Sequence, residues 1–224
     1  LETGIKAIDF FTPLPRGSKI GLVGGPGVGK TILMTEIMRN VNSQGSNLSI
    51  FAGIGERIRE GHELWKTLTH TEVLYRTALI LGNMNENAAV RFKIAWAAAT
   101  LAEYFRDEEK QNVLFFVDNI FRFVQAGSEL STLLGEIPSE FGYQPTLQTE
   151  IAQFESRLKS TRNASITSIQ TIYAPADILT NPSITDTLPH LSAVTILSRS
   201  IAHEGRYPAV DVLQSKSSVL DKEF

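Results

Sequence analysis

Residues 19–31 read Lys19-Ile20-Gly21-Leu22-Val23-Gly24-Gly25-Pro26-Gly27-Val28-Gly29-Lys30-Thr31, an apolar run that breaks into glycines and closes on lysine and threonine. Gly24 to Thr31 fit the pattern G-x-x-x-x-G-K-[ST], whose meaning depends on a strand before it and a helix behind it. Both are expected here. Lys19–Val23 has the make-up of a short buried strand, and Lys30–Val41 carries Ile32, Ile37 and Val41 at helical spacing. Glycines let a backbone wrap an anion closely, while free N–H groups and a helix N-terminus attract it. In such a loop Gly25, Pro26, Gly27, Val28 and Gly29 would surround phosphates. Lys30 would reach the outer phosphates, and the Thr31 hydroxyl would ligate magnesium. The plain alternative is a chance glycine turn beside a surface lysine, and the flanking strand and helix weigh against it.

Working outward, strand and helix patterns alternate. Leu48–Ile54 and Thr77–Leu81 have strand character, and Glu60–Leu68 has that of a helix. Glu86–Arg106 is the longest helical pattern, with Val90, Ile94, Ala97, Leu101 and Tyr104 recurring at steps of three and four. Asn112–Val117 is an almost unbroken apolar run ending in Asp118, as a central strand buried on both faces would be. Helices are expected around Ile120–Leu134 and Leu147–Leu158, and strands at Ile166–Tyr173 and Ala193–Leu197. The alternation predicts an α/β fold with a mostly parallel twisted sheet, helices on both faces and ligands at the carboxyl ends of the strands. The chain, residues 1–224, reads as one domain.

Composition narrows the function. The chain has no cysteine, which removes disulfides and thiolate metal sites, and its net charge of -3 argues against gripping a nucleic-acid backbone. No apolar run approaches the roughly 20 residues of a membrane span. The chain starts at Leu1 and stops abruptly at Phe224, and is read as a segment of a longer protein.

A phosphate loop alone only binds; turnover needs a carboxylate for the metal and a group that positions water. Asp118 has two readings, a magnesium-binding carboxylate or an N-cap for the segment starting at Asn119. They are even when taken alone, and the phosphate loop favours magnesium. Gly55-Glu56-Arg57-Ile58-Arg59-Glu60 follows the second strand. Charge runs of this kind are mostly solvated surface. At a strand's carboxyl end Glu56 would instead orient water, Arg57 would neutralise phosphate charge, and Glu60 would hold a magnesium-bound water.

These blocks, together with Phe51–Arg57, Met84–Glu86, Ala102–Arg106, Asp118–Phe123, Gln125–Glu129, Gly142–Leu147, Tyr173–Asp177 and Tyr207–Asp211, resemble the catalytic, beta-type subunit of F-type ATP synthases. They occur in family order from end to end. The resemblance implies a RecA-like P-loop NTPase core binding ATP or ADP with Mg2+. The family's N-terminal β-barrel and C-terminal helical domain lie outside this sequence. It implies ATP synthesis or hydrolysis coupled to rotation and to proton or ion transport. Implied partners are alpha-type subunits in an alternating ring, supplying an arginine finger in trans, a central rotor shaft and, indirectly, a membrane ion-translocating sector. No nucleic acid is expected. Such a catalytic head is peripheral to a membrane, on its cytoplasmic, matrix or stromal side.

Carried over by position, Lys30 and Thr31 match phosphate and magnesium ligands, and Glu56 the carboxylate that polarises the attacking water. Arg57 and Arg122 match phosphate-binding arginines, and Glu60 and Asp118 magnesium residues beyond the direct ligands. Tyr207 matches the tyrosine that stacks on adenine, its bland alternative being a partly buried core tyrosine, while Asn119 and Tyr173 would line the phosphate end. Glu56 separates the catalytic subunit type from the alpha type, which lacks it. Departures from the pattern are a shortened stretch between Leu64 and Thr77, Asn87-Ala88-Ala89 in place of a Pro-Pro-Gly turn, and Ile178, Pro189 and Ser192. They fit a divergent F-type-like paralogue. Two other readings stand beside the catalytic one: a nucleotide-holding ring subunit without turnover, and a Rho-like hexameric nucleic-acid motor.

Overall fold

Val113-Leu114-Phe115-Phe116-Val117-Asp118 contains nothing polar before its last position, and every residue of the strand it forms is buried. A strand that is dry on both faces must lie inside a sheet covered on both sides. In the computed structural model, which describes residues 1–43, 48–139, 141–174 and 179–220, it does. The sheet comprises β1 (Lys19–Gly24), β2 (Leu48–Glu56), β3 (Thr77–Asn83), β4 (Val113–Asp118), β5 (Ile166–Tyr173), β6 (Ala193–Leu197) and β7 (Val210–Ser217). Their spatial order is β3-β2-β4-β5-β1-β6-β7. All neighbours run parallel except β7, which is antiparallel to β6.

The helices are α1 (Lys6–Phe11), α2 (Lys30–Ser43), α3 (Ile58–His70), α4 (Ala88–Asp107), α5 (Ile120–Leu133), α6 (Leu147–Arg157), α7 (Pro182–Thr185) and α8 (Arg199–His203). The two-residue period of the strands divides the interior into two cores. Phe115, Val117, Ile50 and Ile172 meet α4, α5 and α6, whereas Leu114, Phe116, Leu22 and Ile169 meet α1, α2 and α3. Phe115 and Phe116 are both fully buried, one on each face, and each contributes about 1.5–3 kcal/mol by leaving water.

The strand and helix ranges read from the sequence hold within a few residues, but the face of α4 does not. Val90, Ala97 and Tyr104 of the expected stripe are exposed; the buried residues are Ala88, Ala95, Ala98, Ala99 and Ala102, with Arg106 in the last turn. A flat alanine face lets the helix lie close to β2 and β3, so its larger apolar side chains pack at the flanks. Asn87, where a turn of other composition was expected, N-caps this helix by accepting from Val90 N–H at 2.9 Å. Four of the α-helices and strands named above escaped sequence reading. α1, α7 and α8 are too short to show a period. β7, an edge strand with exposed Val212, Leu213 and Gln214, has no apolar run. Ile178 and the residues from Pro175 lie outside the described residues.

Glu155 of α6 is fully buried against the sheet. Its Oε2 lies 3.6 Å from Lys19 Nζ and accepts from Gln170 Nε2 at 3.1 Å, while Oε1 has no hydrogen-bond partner among the described residues. Burial pushes its carboxyl from about 4.5 up to about 7, against the pull of Lys19 and Gln170. An acid whose folded pKa exceeds its unfolded one favours the fold below the unfolded value, and that contribution is lost as pH rises through the folded value. Urea midpoints should therefore fall between pH 5 and pH 8, by a few kcal/mol of stability at most, and Glu155→Gln should flatten the slope. A slope unchanged in Glu155→Gln would remove Glu155 as its source.

Candidate functional site

The carboxyl ends of β1, β2, β4 and β5 meet at one edge of the sheet. There the chain leaves β1 into the glycine-rich loop. Gly27 and Gly29 have φ values of +76° and +86°, with nothing within 4 Å of where a Cβ would stand. Backbone conformation, not crowding, therefore demands glycine at both positions. The Lys30 ammonium folds back on the loop, donating to the Gly24 carbonyl at 2.9 Å and to that of Gly25. It also sits 5.6 Å from the centroid of the Tyr173 ring, at the end of β5.

Asp118 ends β4 and is 5% exposed. Thr31 donates to its Oδ2 at 2.9 Å and Thr171 to its Oδ1 at 2.6 Å. Burial pushes the carboxyl up, and the two hydroxyls and Lys30 pull it back. The N-cap reading of Asp118 is excluded, because the cap of α5 is Asn119, whose side chain accepts from Arg122 N–H at 3.0 Å. The first turn of α5 then brings Arg122 over Gly55, its Cβ and Cδ 3.4 Å from where a Gly55 Cβ would be, with its guanidinium donating to Gln125 at 3.2 Å.

Glu56 ends β2, beside an irregularity in its register with β3. Burial first, then the neighbouring Asp118 and Glu60, push its carboxyl up to about 9, opposed by Arg122. Glu60 Oε2 accepts from the Arg57 N–H at 3.4 Å, at the start of α3.

A cleft of about 630 Å³ gathers Pro26, Lys30, Thr31, Glu56, Glu60, Asp118, Asn119, Arg122 and Tyr173. Arg57 is the exception among the charged candidates, since its side chain is exposed and does not line the cleft. Tyr207 stands elsewhere, 66% exposed, on a mostly apolar pocket of about 460 Å³ that Val28, Gly29, Leu33 and Pro208 also line. Ile32 and Glu36 of α2 line both spaces. Pro189 and Ser192 border a third pocket, beside β6 and β7, away from the cleft.

Sequence reading passed over Thr171 and Glu36, and it gave Gln125, quoted within a block, no role of its own. A signal for Thr171 existed: β5 is buried almost throughout yet carries Thr167, Ser168, Gln170 and Thr171 among its isoleucines, and buried hydroxyls need partners.

Among the described residues no group of three or more His, Cys, Asp or Glu is placed to hold a metal by protein ligands alone. The donors present are hard oxygens, the Thr31 hydroxyl and the carboxylates of Asp118, Glu60 and Glu56. They suit magnesium, which keeps waters and takes substrate phosphates as ligands. Thr31 spends its proton on Asp118, so its oxygen lone pairs remain for a cation.

Residues 4–217 match the family model described as the nucleotide-binding domain of the ATP synthase alpha/beta family. An ATPase from the type III secretion system of pathogenic bacteria superposes with a TM-score of 0.89 at 30% identity, over 98% of this chain and 62% of that one. The ATP synthase subunit NeqB from Nanoarcheaum equitans superposes with a TM-score of 0.93 at 29% identity, over 99% of this chain and 55% of that one. The chain thus spans less than two thirds of either protein.

Replacing Thr171 by valine keeps the shape of the side chain and removes one donor to Asp118. At pH 7 the variant should lose about 1–3 kcal/mol in urea unfolding, because a buried carboxylate oxygen is left without its partner. The loss should shrink on acidification, as the carboxyl takes up a proton. A midpoint equal to that of the wild type at both pH values would mean that water serves Asp118 as well as Thr171 does.

Proposed function

The chain belongs to the ATP synthase alpha/beta family, and from that premise we propose that it is the catalytic nucleotide-binding core of a rotary ATPase. Residues 1–224 would form one RecA-like domain of a longer subunit. The observation that supports this most is Glu56, a carboxyl at a strand end that shares one cleft with Lys30, Thr31, Asp118 and Arg122.

In this reading Gly25, Pro26, Gly27, Val28 and Gly29 hold the phosphates of ATP or ADP through backbone N–H groups. Lys30 exchanges its loop carbonyls for the outer phosphates. Magnesium, when bound, would neutralise charge between those phosphates; Thr31 would ligate it, and Asp118 and Glu60 would hold its waters. Glu56 orients the attacking water toward the terminal phosphorus. Burial first, and then its acidic neighbours, hold the proton affinity of Glu56 high, and a bound cation would lower it. Arg122 stabilises charge on the transferring group, and Tyr173 lines the phosphate end. Tyr207 offers its ring to the base. Most of the rate would come from positioning and fixed charge. An arginine finger from a neighbouring alpha-type subunit would complete the site, and such fingers contribute about 10³–10⁵ in rate. The isolated chain should then be nearly inactive. Rotation of a shaft and coupling to an ion-translocating membrane sector extend the same proposal, with the catalytic head peripheral to the membrane. Among the described residues no helix is long and apolar enough to cross a membrane.

A second reading, a ring subunit that holds nucleotide without turnover, draws on Arg57, exposed and off the cleft wall.

The deciding experiment is magnesium-ATP hydrolysis by the full-length protein, assembled with its alpha-type partner. Glu56→Gln should bind nucleotide normally and lose at least about a hundredfold in turnover. Lys30→Ala and Thr31→Ala should weaken magnesium-nucleotide binding itself. Equal turnover in wild type and Glu56→Gln would sink the catalytic assignment, and binding without turnover in both would favour the second reading.

A further inference from the structure

Two spaces flank the first turns of α2. The polar one holds the phosphate-loop lysine and threonine, Lys30 and Thr31; the apolar one is bounded by Tyr207 and Pro208. Their shared wall is made of Ile32 and Glu36, one helical turn apart on α2. A nucleotide with its phosphates in the first space and its base in the second must carry its sugar across that wall. Ile32 is 78% exposed and offers only a methyl surface. Glu36 offers a carboxylate at the junction, where a ribose presents two neighbouring hydroxyls, both of them donors.

We propose that Glu36 reads the sugar of the bound nucleotide, accepting hydrogen bonds from the ribose hydroxyls and so favouring ribonucleotides over their deoxy analogues. The inference rests on the nucleotide reading of the preceding subsection.

The charge arrangement suits the task. A bare carboxylate beside a polyphosphate would repel it, but Arg39 pairs with Glu36 from the next turn of α2. That contact offsets the charge and restricts the side chain, and it engages Oε1. Oε2 has no protein partner among the described residues, so an acceptor remains for a hydroxyl. The site is half open to water, with side-chain exposures of 40% for Glu36 and 50% for Arg39. Discrimination is accordingly modest, since solvent replaces part of a lost hydrogen bond.

The test is equilibrium binding of magnesium-ATP and magnesium-2′,3′-dideoxy-ATP to the full-length protein, in wild type, Glu36→Ala and Glu36→Gln. Wild type should prefer ATP by about five- to tenfold. Glu36→Ala should bring the two affinities together, and Glu36→Gln, which keeps an acceptor oxygen, should retain part of the preference. Alanine is a good helix former at this half-exposed position, and a ratio of affinities is insensitive to any loss of folded protein. Equal affinities in wild type, or a ratio unchanged in Glu36→Ala, would overturn the proposal while leaving the nucleotide reading intact. Failure of wild type to bind ATP, or ATP binding indifferent to Lys30→Ala, would overturn that reading and this inference with it.

Discussion

A carboxylate with almost no access to water holds this molecule's functional edge together. Asp118 accepts from Thr31 on α2 and from Thr171 on β5 while it ends β4, so three elements far apart in sequence meet at one side chain. Its position follows from the sheet. β5 lies between β1 and β4, pairing Leu22 with Thr171 on one side and Val117 with Gln170 on the other. A one-residue slip of β5 would turn Thr171 to the opposite face and leave the carboxylate unpaired. The apolar strands around it fix that register, because their own alternation already commits each face to one of the two cores.

Buried acids run against the general preference for apolar interiors, and at the cleft the buried Asp118 stands beside the half-buried Glu56. Burial raises the proton affinity of both Glu56 and Asp118, and neighbouring acids add to it, Asp118 and Glu60 at Glu56 and Glu60 at Asp118. An arrangement that stores unfavourable carboxylate charge is one that a cation relieves. Such strained electrostatics is common where a protein has work to do rather than where it merely packs. Glu155 provides the contrast. It is equally buried, but it lies under α6 near the start of β1, far from the loop, and its partners Lys19 and Gln170 are structural.

Most of the fold was legible because its signals are local and strong. The glycine loop, the apolar run into Asp118 and the spacing of α2 need no tertiary context. The face of α4 was misread because large apolar residues draw attention, whereas the interface is made by Ala95, Ala98, Ala99 and Ala102, whose value lies in what they omit. β7 was invisible because an edge strand earns its place by backbone pairing, for which a sequence pattern gives little trace. At the site, the single residues at strand ends could be named, but Thr171 and Gln125 act as partners of other side chains. Only the register of the sheet and the turn of α5 reveal those partnerships. Tyr207 was found by resemblance alone; nothing in its local sequence places it beside Val28 and Gly29.

The reversal of the last strand explains how that placement comes about. A seventh parallel strand would begin at the amino edge of the sheet, and the residues ahead of it would lie far from the loop. Because β7 runs the other way, pairing Val210 with Leu197, the segment leading into it arrives at the carboxyl edge. Ser198 N–H fastens it there through the Ala209 carbonyl at 2.8 Å. The apolar pocket therefore joins residues near the beginning of the chain to residues near its end. The antiparallel edge pairing is what brings the loop after β1 and the segment ahead of β7 to one wall, so an edge strand with no base contact of its own decides where Tyr207 stands.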